Sequence, residues 1–226
     1  MATALITGAN RGLGLEFVRQ LADSGWRVHA CCRLPEKARQ LKSLAGDIVR
    51  HRMDVTDSLQ IAGLGRELAD ENLELLINNA GIFGPRAGFG QIAYDDWLQV
   101  FNVNTVAPMR VAEAFAPHLG RSGQAKLINI SSRLGSIAET DTSGTHIYRS
   151  SKAALNIVTK CLSIDLAPRG VSVVALHPGW VRTDMGGKSA TWTPVDSVDH
   201  MLRFITALTP AASGGFYAYD GHPIPW

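Results

Sequence analysis

Ala4-Leu5-Ile6-Thr7-Gly8-Ala9-Asn10-Arg11-Gly12-Leu13-Gly14 joins a short apolar run directly to a glycine-rich turn. Leu13, Phe17 and Leu21 then recur at helical spacing, so the turn leads from a strand into a helix with one buried face. Glycines there let the backbone turn sharply and approach a pyrophosphate, whose charge the free amides of the helix start stabilise. The spacing Gly-x-x-x-Gly-x-Gly departs from the commoner Gly-x-Gly-x-x-Gly pattern, and a tight turn without a ligand satisfies the same residues. Further β-branched or apolar runs follow at Arg27 to Cys32, Ile48 to Met53, Leu73 to Asn78, Lys126 to Ser131, Val171 to Leu176 and Phe216 to Tyr219. Helix-length segments separate them, which predicts a doubly wound α/β fold: a seven-stranded parallel sheet, Rossmann-like, covered on both faces. No linker or repeat interrupts the chain, so residues 1–226 are expected to form a single domain.

Composition excludes several classes of partner. The net charge of +2 comes from interspersed residues, without the basic stripe that nucleic acid or anionic lipid requires. Cys31, Cys32 and Cys161 lack metal-ligand spacing, and the first two, adjacent in a strand, should point to opposite faces. Buried thiols and the lack of a leader-like or membrane-spanning stretch make a soluble cytoplasmic protein the expectation.

The carboxyl ends of the strands carry the residues of chemical interest. About twenty residues beyond the glycines, where an acid would bind the ribose hydroxyls of NAD, stands Arg33. Its guanidinium suits the 2′-phosphate of NADP, with Arg11 closing the other side; the alternative is two solvated charges. Asp54 ends the third strand, in reach of an adenine amino group, and Asp57 is expected to cap the next helix. Asn78-Asn79-Ala80-Gly81 ends the fourth, a sequence that suits close cofactor approach or, equally, stitching of neighbouring strands. Asn104 lies in an apolar segment and needs a buried partner. Ser132 follows the fifth strand as a ligand-facing hydroxyl or a plain turn serine, and His177 reads as a strand-end histidine.

Tyr148 and Lys152, four apart, share one face of a long helical segment that continues through Leu155, Leu162 and Leu166 to Pro168 and Gly170. A free phenol has a pKa of about 10. An ammonium a few ångströms away favours the phenolate by on the order of 4 kcal/mol before desolvation opposes it. The pair alone also fits an ordinary buried tyrosine and a solvated lysine.

Taken together and in this order, the glycine turn, Asn78 to Gly81, Asn104, Ser132, Tyr148 with Lys152, and Pro178-Gly179 resemble the short-chain dehydrogenase/reductase family. The stretches Tyr148 to Asn156, His177 to Gly187 and Tyr219 to Trp226 are similar to its C-factor-like and sniffer-type carbonyl reductase subgroup. The resemblance implies an NADP(H)-dependent oxidoreductase acting between a carbonyl and an alcohol, with Tyr148 as general acid, or alternatively a non-catalytic nucleotide-binding signalling protein. It implies that Lys152 holds the nicotinamide ribose and lowers the phenol's pKa, that Ser132 binds the substrate oxygen, and that Asn104 orients a water through a kinked helix. It further implies cofactor contacts from Gly8, Asn10, Arg11, Gly12, Leu13, Gly14, Arg33, Asp54, Val55, Asn78, Ala80, Gly81, Tyr148, Lys152, Pro178, Gly179, Val181 and Thr183. Ser132 and Tyr148 stand farther apart than in many members; should the longer loop from Leu134 to His146 re-aim Ser132, Ser131 or Ser136 is the alternative donor.

Trp180, Phe83, Ile137, Met185 and Trp192 are candidate apolar walls of the substrate pocket, each equally able to pack the core or a subunit contact. No metal is expected. A small carbonyl or alcohol substrate is, and so is a homodimer formed by the helices around Asn104 to Leu119 and Ala153 to Leu166, whose apolar residues exceed one buried face.

Overall fold

The computed structural model describes residues 1–226. Seven strands, β1 (Thr3–Thr7), β2 (Arg27–Cys32), β3 (Ile48–Arg52), β4 (Leu75–Asn78), β5 (Lys126–Ile130), β6 (Ser172–His177) and β7 (Phe216–Ala218), form one sheet. Its order is β3-β2-β1-β4-β5-β6-β7, and every adjacent pair is parallel. The strands alternate with α1 (Gly12–Asp23), α2 (Arg39–Ser43), α3 (Ser58–Glu67), α4 (Tyr94–Phe101), α5 (Ala107–Ser122), α6 (His146–Asp165) and α7 (Pro194–Ala207). The expected doubly wound sheet is therefore present. Strand order reverses beside β1, so β1 and β4 diverge there, and the crevice above their carboxyl ends is where such sheets take ligands.

Side-chain alternation divides the interior into two cores. Ala4 and Ile6 of β1 face one way, with Phe17, Val18 and Leu21 of α1 and Val198, Met201 and Ile205 of α7. Leu5 faces the other way, with Ile61 and Leu64 of α3 and Val111, Phe115 and Leu119 of α5. Cys31 and Cys32 fall in opposite cores, as adjacent strand residues must. Removing the fully buried Phe17 or Phe115 side chain would cost about 3–5 kcal/mol. Asp57 caps α3, accepting from the amides of Leu59 and Gln60 at 2.9 and 3.1 Å.

One expectation needs correction here. The apolar residues of α5 are not in excess, because Val111, Ala112, Phe115, Ala116 and Leu119 are all absorbed by the second core. Among the helices around this face, exposed apolar side chains stand on α4 (Tyr94, Leu98) and α6 (Ile157, Ile164), with Val106 just before α5. A helix covered by sheet on one side and by α3 and α6 on its flanks has more than one buried face, which periodicity alone does not reveal.

Candidate active site

The glycine turn is shaped by close approach. Gly8 has φ +67, and a Cβ on it would lie 2.9 Å from the Cα of Ala80. A Cβ on Gly14 would lie 2.3 Å from the Gly8 carbonyl oxygen, so the start of α1 meets the turn only because neither residue has a side chain. Thr7 and Asn79 lock this turn to β4: the Thr7 hydroxyl accepts from the amides of Asn79 and Ala80, both at 3.0 Å, and Asn79 Nδ2 donates to the Thr7 carbonyl at 2.9 Å. Arg11 precedes α1 without a side-chain cap, and the first turn holds no acid, so its free amides suit an anion.

Around the crevice, Arg33 is exposed just past β2. Arg11 instead pairs with Asp184, at 2.5 Å, across to the segment that follows β6. Asp54 accepts from the Thr56 amide and hydroxyl through one carboxylate oxygen, at 2.9 and 2.7 Å. Thr183 faces Gly12, its methyl 3.4 Å from where a Cβ would be, so the two lips of the crevice touch. Gly179 takes φ +82 beneath Trp192, whose ring packs on Tyr219 at 4.8 Å and His200 at 5.3 Å. Trp192 thus packs as a floor for the Pro178-Gly179 turn.

Asn78 takes the second of its two readings, the stitching of neighbouring strands. Its Nδ2 donates to Asn129 Oδ1 at 2.9 Å and to the Pro108 carbonyl at 3.2 Å, and Asn129 continues to the Thr159 hydroxyl. The side chain joins β4 to β5 and α5 inside the core. Asn79, the neighbouring amide, is the one that shapes the crevice; two consecutive amides at a strand end were the signal, because they must point to opposite faces.

Asn104 finds the buried partners its apolar setting required. Its Oδ1 accepts from the Ile82 amide at 2.9 Å, while Nδ2 donates to the Ile82 carbonyl at 2.8 Å and to Ser151 Oγ at 3.0 Å. It sits in a π-helical turn, Asn102–Val106, between α4 and α5, which is a kink of the expected kind.

Tyr148 and Lys152 lie on the buried face of α6, one turn apart. Phe83 stacks on the Tyr148 ring at 4.5 Å, and the Arg86 guanidinium lies over Phe83 at 5.1 Å. Burial pushes the phenol up to about 12, with Ser132 hydrogen bonding in opposition. Burial also drives the Lys152 ammonium down to about 8. Lys152 Nζ donates to the Ile130 carbonyl at 2.8 Å and stands 5.8 Å from the centre of the Tyr148 ring. Burial therefore sets the direction at both groups, raising the phenol where pairing with Lys152 was expected to lower it. At neutral pH the phenol keeps its proton and has Ser132 beside it, an arrangement able to donate to a carbonyl oxygen.

The three serines differ in what they already hold. Ser131 Oγ donates to Asn156 Oδ1 at 2.6 Å, and Ser136 Oγ donates to the Pro225 carbonyl at 2.6 Å. Ser132 Oγ accepts from the Leu134 amide at 3.2 Å and is the one of the three hydroxyls that hydrogen-bonds the Tyr148 phenol. Asn156, which also donates to the Gly135 carbonyl at 3.2 Å, was detectable as an amide four positions beyond Lys152 on the same helix face. Of the other expected pocket walls, Ile137, Trp180 and Met185 are exposed near these segments. His177 ends β6 with its ring driven down to about 4 by burial, as befits a neutral strand-end histidine.

The chain is 44% identical to C-signal of Myxococcus xanthus over 154 residues, 68% of this chain and 93% of that protein. The structure resembles the carbonyl reductase Sniffer of D. melanogaster with a TM-score of 0.96 and 36% identity over the whole of both chains. It resembles the NADPH-bound carbonyl reductase from chicken fatty liver with a TM-score of 0.92 and 37% identity, covering 100% of this chain and 99% of that one. The model of the short chain dehydrogenases matches residues 2–194, and the chain belongs to that family of oxidoreductases.

Proposed function

We propose that the protein is an NADP(H)-dependent carbonyl reductase or alcohol dehydrogenase. The observation that carries this reading is the corner of Ser132, Tyr148 and Lys152, where a buried, protonated phenol stands hydrogen-bonded to the Ser132 hydroxyl. The dinucleotide would be held by the amides of Gly12, Leu13 and Gly14, by Asn10, Ala80 and Gly81, by Asp54 and Val55 at the adenine, and by Pro178, Gly179, Val181 and Thr183 at the nicotinamide. Its 2′-phosphate would lie against Arg33, with Arg11 drawn from Asp184. The bound nicotinamide supplies the hydride. Ser132 donates to the substrate oxygen, Tyr148 gives up its proton to that oxygen, and Phe83 holds the ring in place. Lys152 binds the ribose hydroxyls and returns a proton to Tyr148, and the π turn at Asn104 opens the way for water to resupply it.

The test is NADPH oxidation against a panel of quinones, aldehydes and ketones. Tyr148→Phe should keep NADPH affinity and lose at least ~100-fold in kcat, the usual scale of a general acid. Wild-type turnover in the variant would remove Tyr148 from this role.

The likeness to C-signal favours a second reading, a nucleotide-binding signalling protein. A signal carrier would retain its effect in Tyr148→Phe, whereas a reductase would not. The free cysteines fit a reducing, cytoplasmic setting. Exposed Tyr94, Leu98, Ile157 and Ile164 support a homodimer, which sedimentation as a monomer at micromolar concentration would refute.

A further inference from the structure

We propose that Ser136 and the segment Pro223–Trp226 form a clasp that positions Ser132, making Ser136 a positioning residue of the active site. The proposal rests on Ser132 acting as the donor to the substrate oxygen.

Ser132 lies on a short bridge whose two ends are held differently. On the strand side, the Ser131 amide donates to the Leu176 carbonyl at 2.8 Å and its hydroxyl to Asn156 at 2.6 Å. On the far side, the single turn Arg133–Gly135 presses on α6 where Lys152 stands: a Cβ on Gly135 would lie 2.8 Å from the Lys152 carbonyl carbon. Next comes Ser136, 1% exposed, whose hydroxyl reaches the Pro225 and Trp226 carbonyls at 2.6 and 3.2 Å. The Ala138 amide donates to the same Trp226 carbonyl at 2.9 Å. Beyond that point residues 139–143 are exposed, and Ser136 also ties their start, its Oγ accepting from the Glu139 amide at 3.2 Å and its carbonyl from the Thr140 hydroxyl at 2.6 Å.

The other half of the clasp is itself anchored to the sheet edge. The Ile224 amide donates to the Phe216 carbonyl at 2.8 Å, Tyr217 bridges to Pro223, and Ile224 is buried. Trp226 stacks on Phe216 at 5.6 Å with 19° between the rings. A continuous path of contacts thus runs from β7 through the buried Ile224, the carbonyls of Pro225 and Trp226 and the buried Ser136 to the turn that begins at Ser132. If that path is cut, the turn keeps its hold on α6 but loses its outer support, and the Ser132 hydroxyl moves relative to the phenol. An ångström of displacement at a reacting group can cost about a hundredfold in rate.

The experiment compares wild type, Ser136→Ala and the milder Trp226→Ala, the latter at a residue 41% exposed and able to fold if the first is not. Measured are kcat and KM for carbonyl reduction, NADPH affinity by fluorescence, the pH dependence of alcohol oxidation, and amide hydrogen exchange over residues 132–140. Both variants should lose roughly tenfold or more in kcat with NADPH affinity within about twofold. Because Ser132 favours the phenolate, the pH of half-maximal oxidation should rise. Exchange over the segment should accelerate. Unchanged kcat in both variants, or a loss shared equally by NADPH affinity, would overturn the positioning role. Unchanged exchange would overturn the clasp itself. Should wild type reduce no carbonyl at all, the reductase reading fails, and the exchange measurement still decides whether the clasp exists.

Discussion

The glycine turn at residues 8–14 and the corner made by Ser132, Tyr148 and Lys152 are built by opposite means. The turn depends on atoms that are not there: at Gly8 and Gly14 a Cβ would collide with backbone. The corner depends on atoms that must be there, since Ser131, Asn156, Gly135 and Ser136 carry a chain of buried hydrogen bonds behind the reacting groups. Adding a methyl group should therefore break the first, and removing a hydroxyl the second. The difference also extends to charge. The turn offers free amides and exposed arginines to an anion, whereas the corner strips water from a phenol and an amine and holds both neutral near pH 9.

The largest expected effect outside Tyr148 follows from adding an atom to the turn. In Gly14→Ala the new Cβ would stand 2.3 Å from the Gly8 oxygen and 2.5 Å from Asn79 Nδ2, so the turn must shift. Overpacking of this kind costs about 3 kcal/mol, which should appear as NADPH binding weakened by roughly a hundredfold. At saturating NADPH the corner is untouched and kcat should stay near wild type. Titration giving affinity within threefold of wild type would show that the turn has room after all.

A change of charge tests the same region from its outer side. Two charge-assisted contacts of about 1.5 to 3 kcal/mol each predict a preference for NADPH over NADH of about a hundredfold, less in high salt. Arg33→Asp should invert it, since the carboxylate repels the phosphate and accepts from a free 2′-hydroxyl. The ratio of kcat/KM for the two dinucleotides, at fixed ionic strength, is the measurement. A wild-type ratio near one would make Arg33 an ordinary surface charge.

The smallest effect concerns stability and both regions together. His29, in the strand beside the turn, and His177, beside Arg133 at the corner, are each held down to about 4 by burial. An unfolded histidine has a pKa of about 6.5. Below that pH the unfolded chain binds protons that the folded chain does not, so stability is complete above about pH 6.5 and declines as the pH falls towards 4. Thermal unfolding followed from pH 7.5 to 4.5 should show a declining Tm. A flat profile would mean that these rings accept protons in the folded state.

Much of the turn was legible in advance because its constraints are local. Glycine spacing, the apolar run before it and the helical repeat after it all act within a few residues, and the strand limits follow from short-range alternation. Asp57 was readable as a cap for the same reason. Less of the corner was legible. That Tyr148 and Lys152 share a helix face follows from their spacing, but the direction in which their proton affinities move depends on how much water the rest of the chain removes. Burial comes from Phe83, far back in sequence, and from the turn after Ser132. The same holds for the dimer face, since only packing reveals that α5 is covered on several sides.

What the sequence by itself determined, then, is the succession of strands and helices and the gathering of the candidate residues at the carboxyl ends of the strands. Periodicity and the backbone freedom of glycine are enough for that. Only the tertiary structure decided that Ser132 turns to the phenol while Ser131 and Ser136 are held by Asn156 and Pro225, that Asn79 shapes the crevice while Asn78 ties strands, and that Arg11 turns to Asp184. Each of these is a choice among chemically equivalent side chains, and it is made by partners up to 173 positions away, whose approach no local pattern encodes.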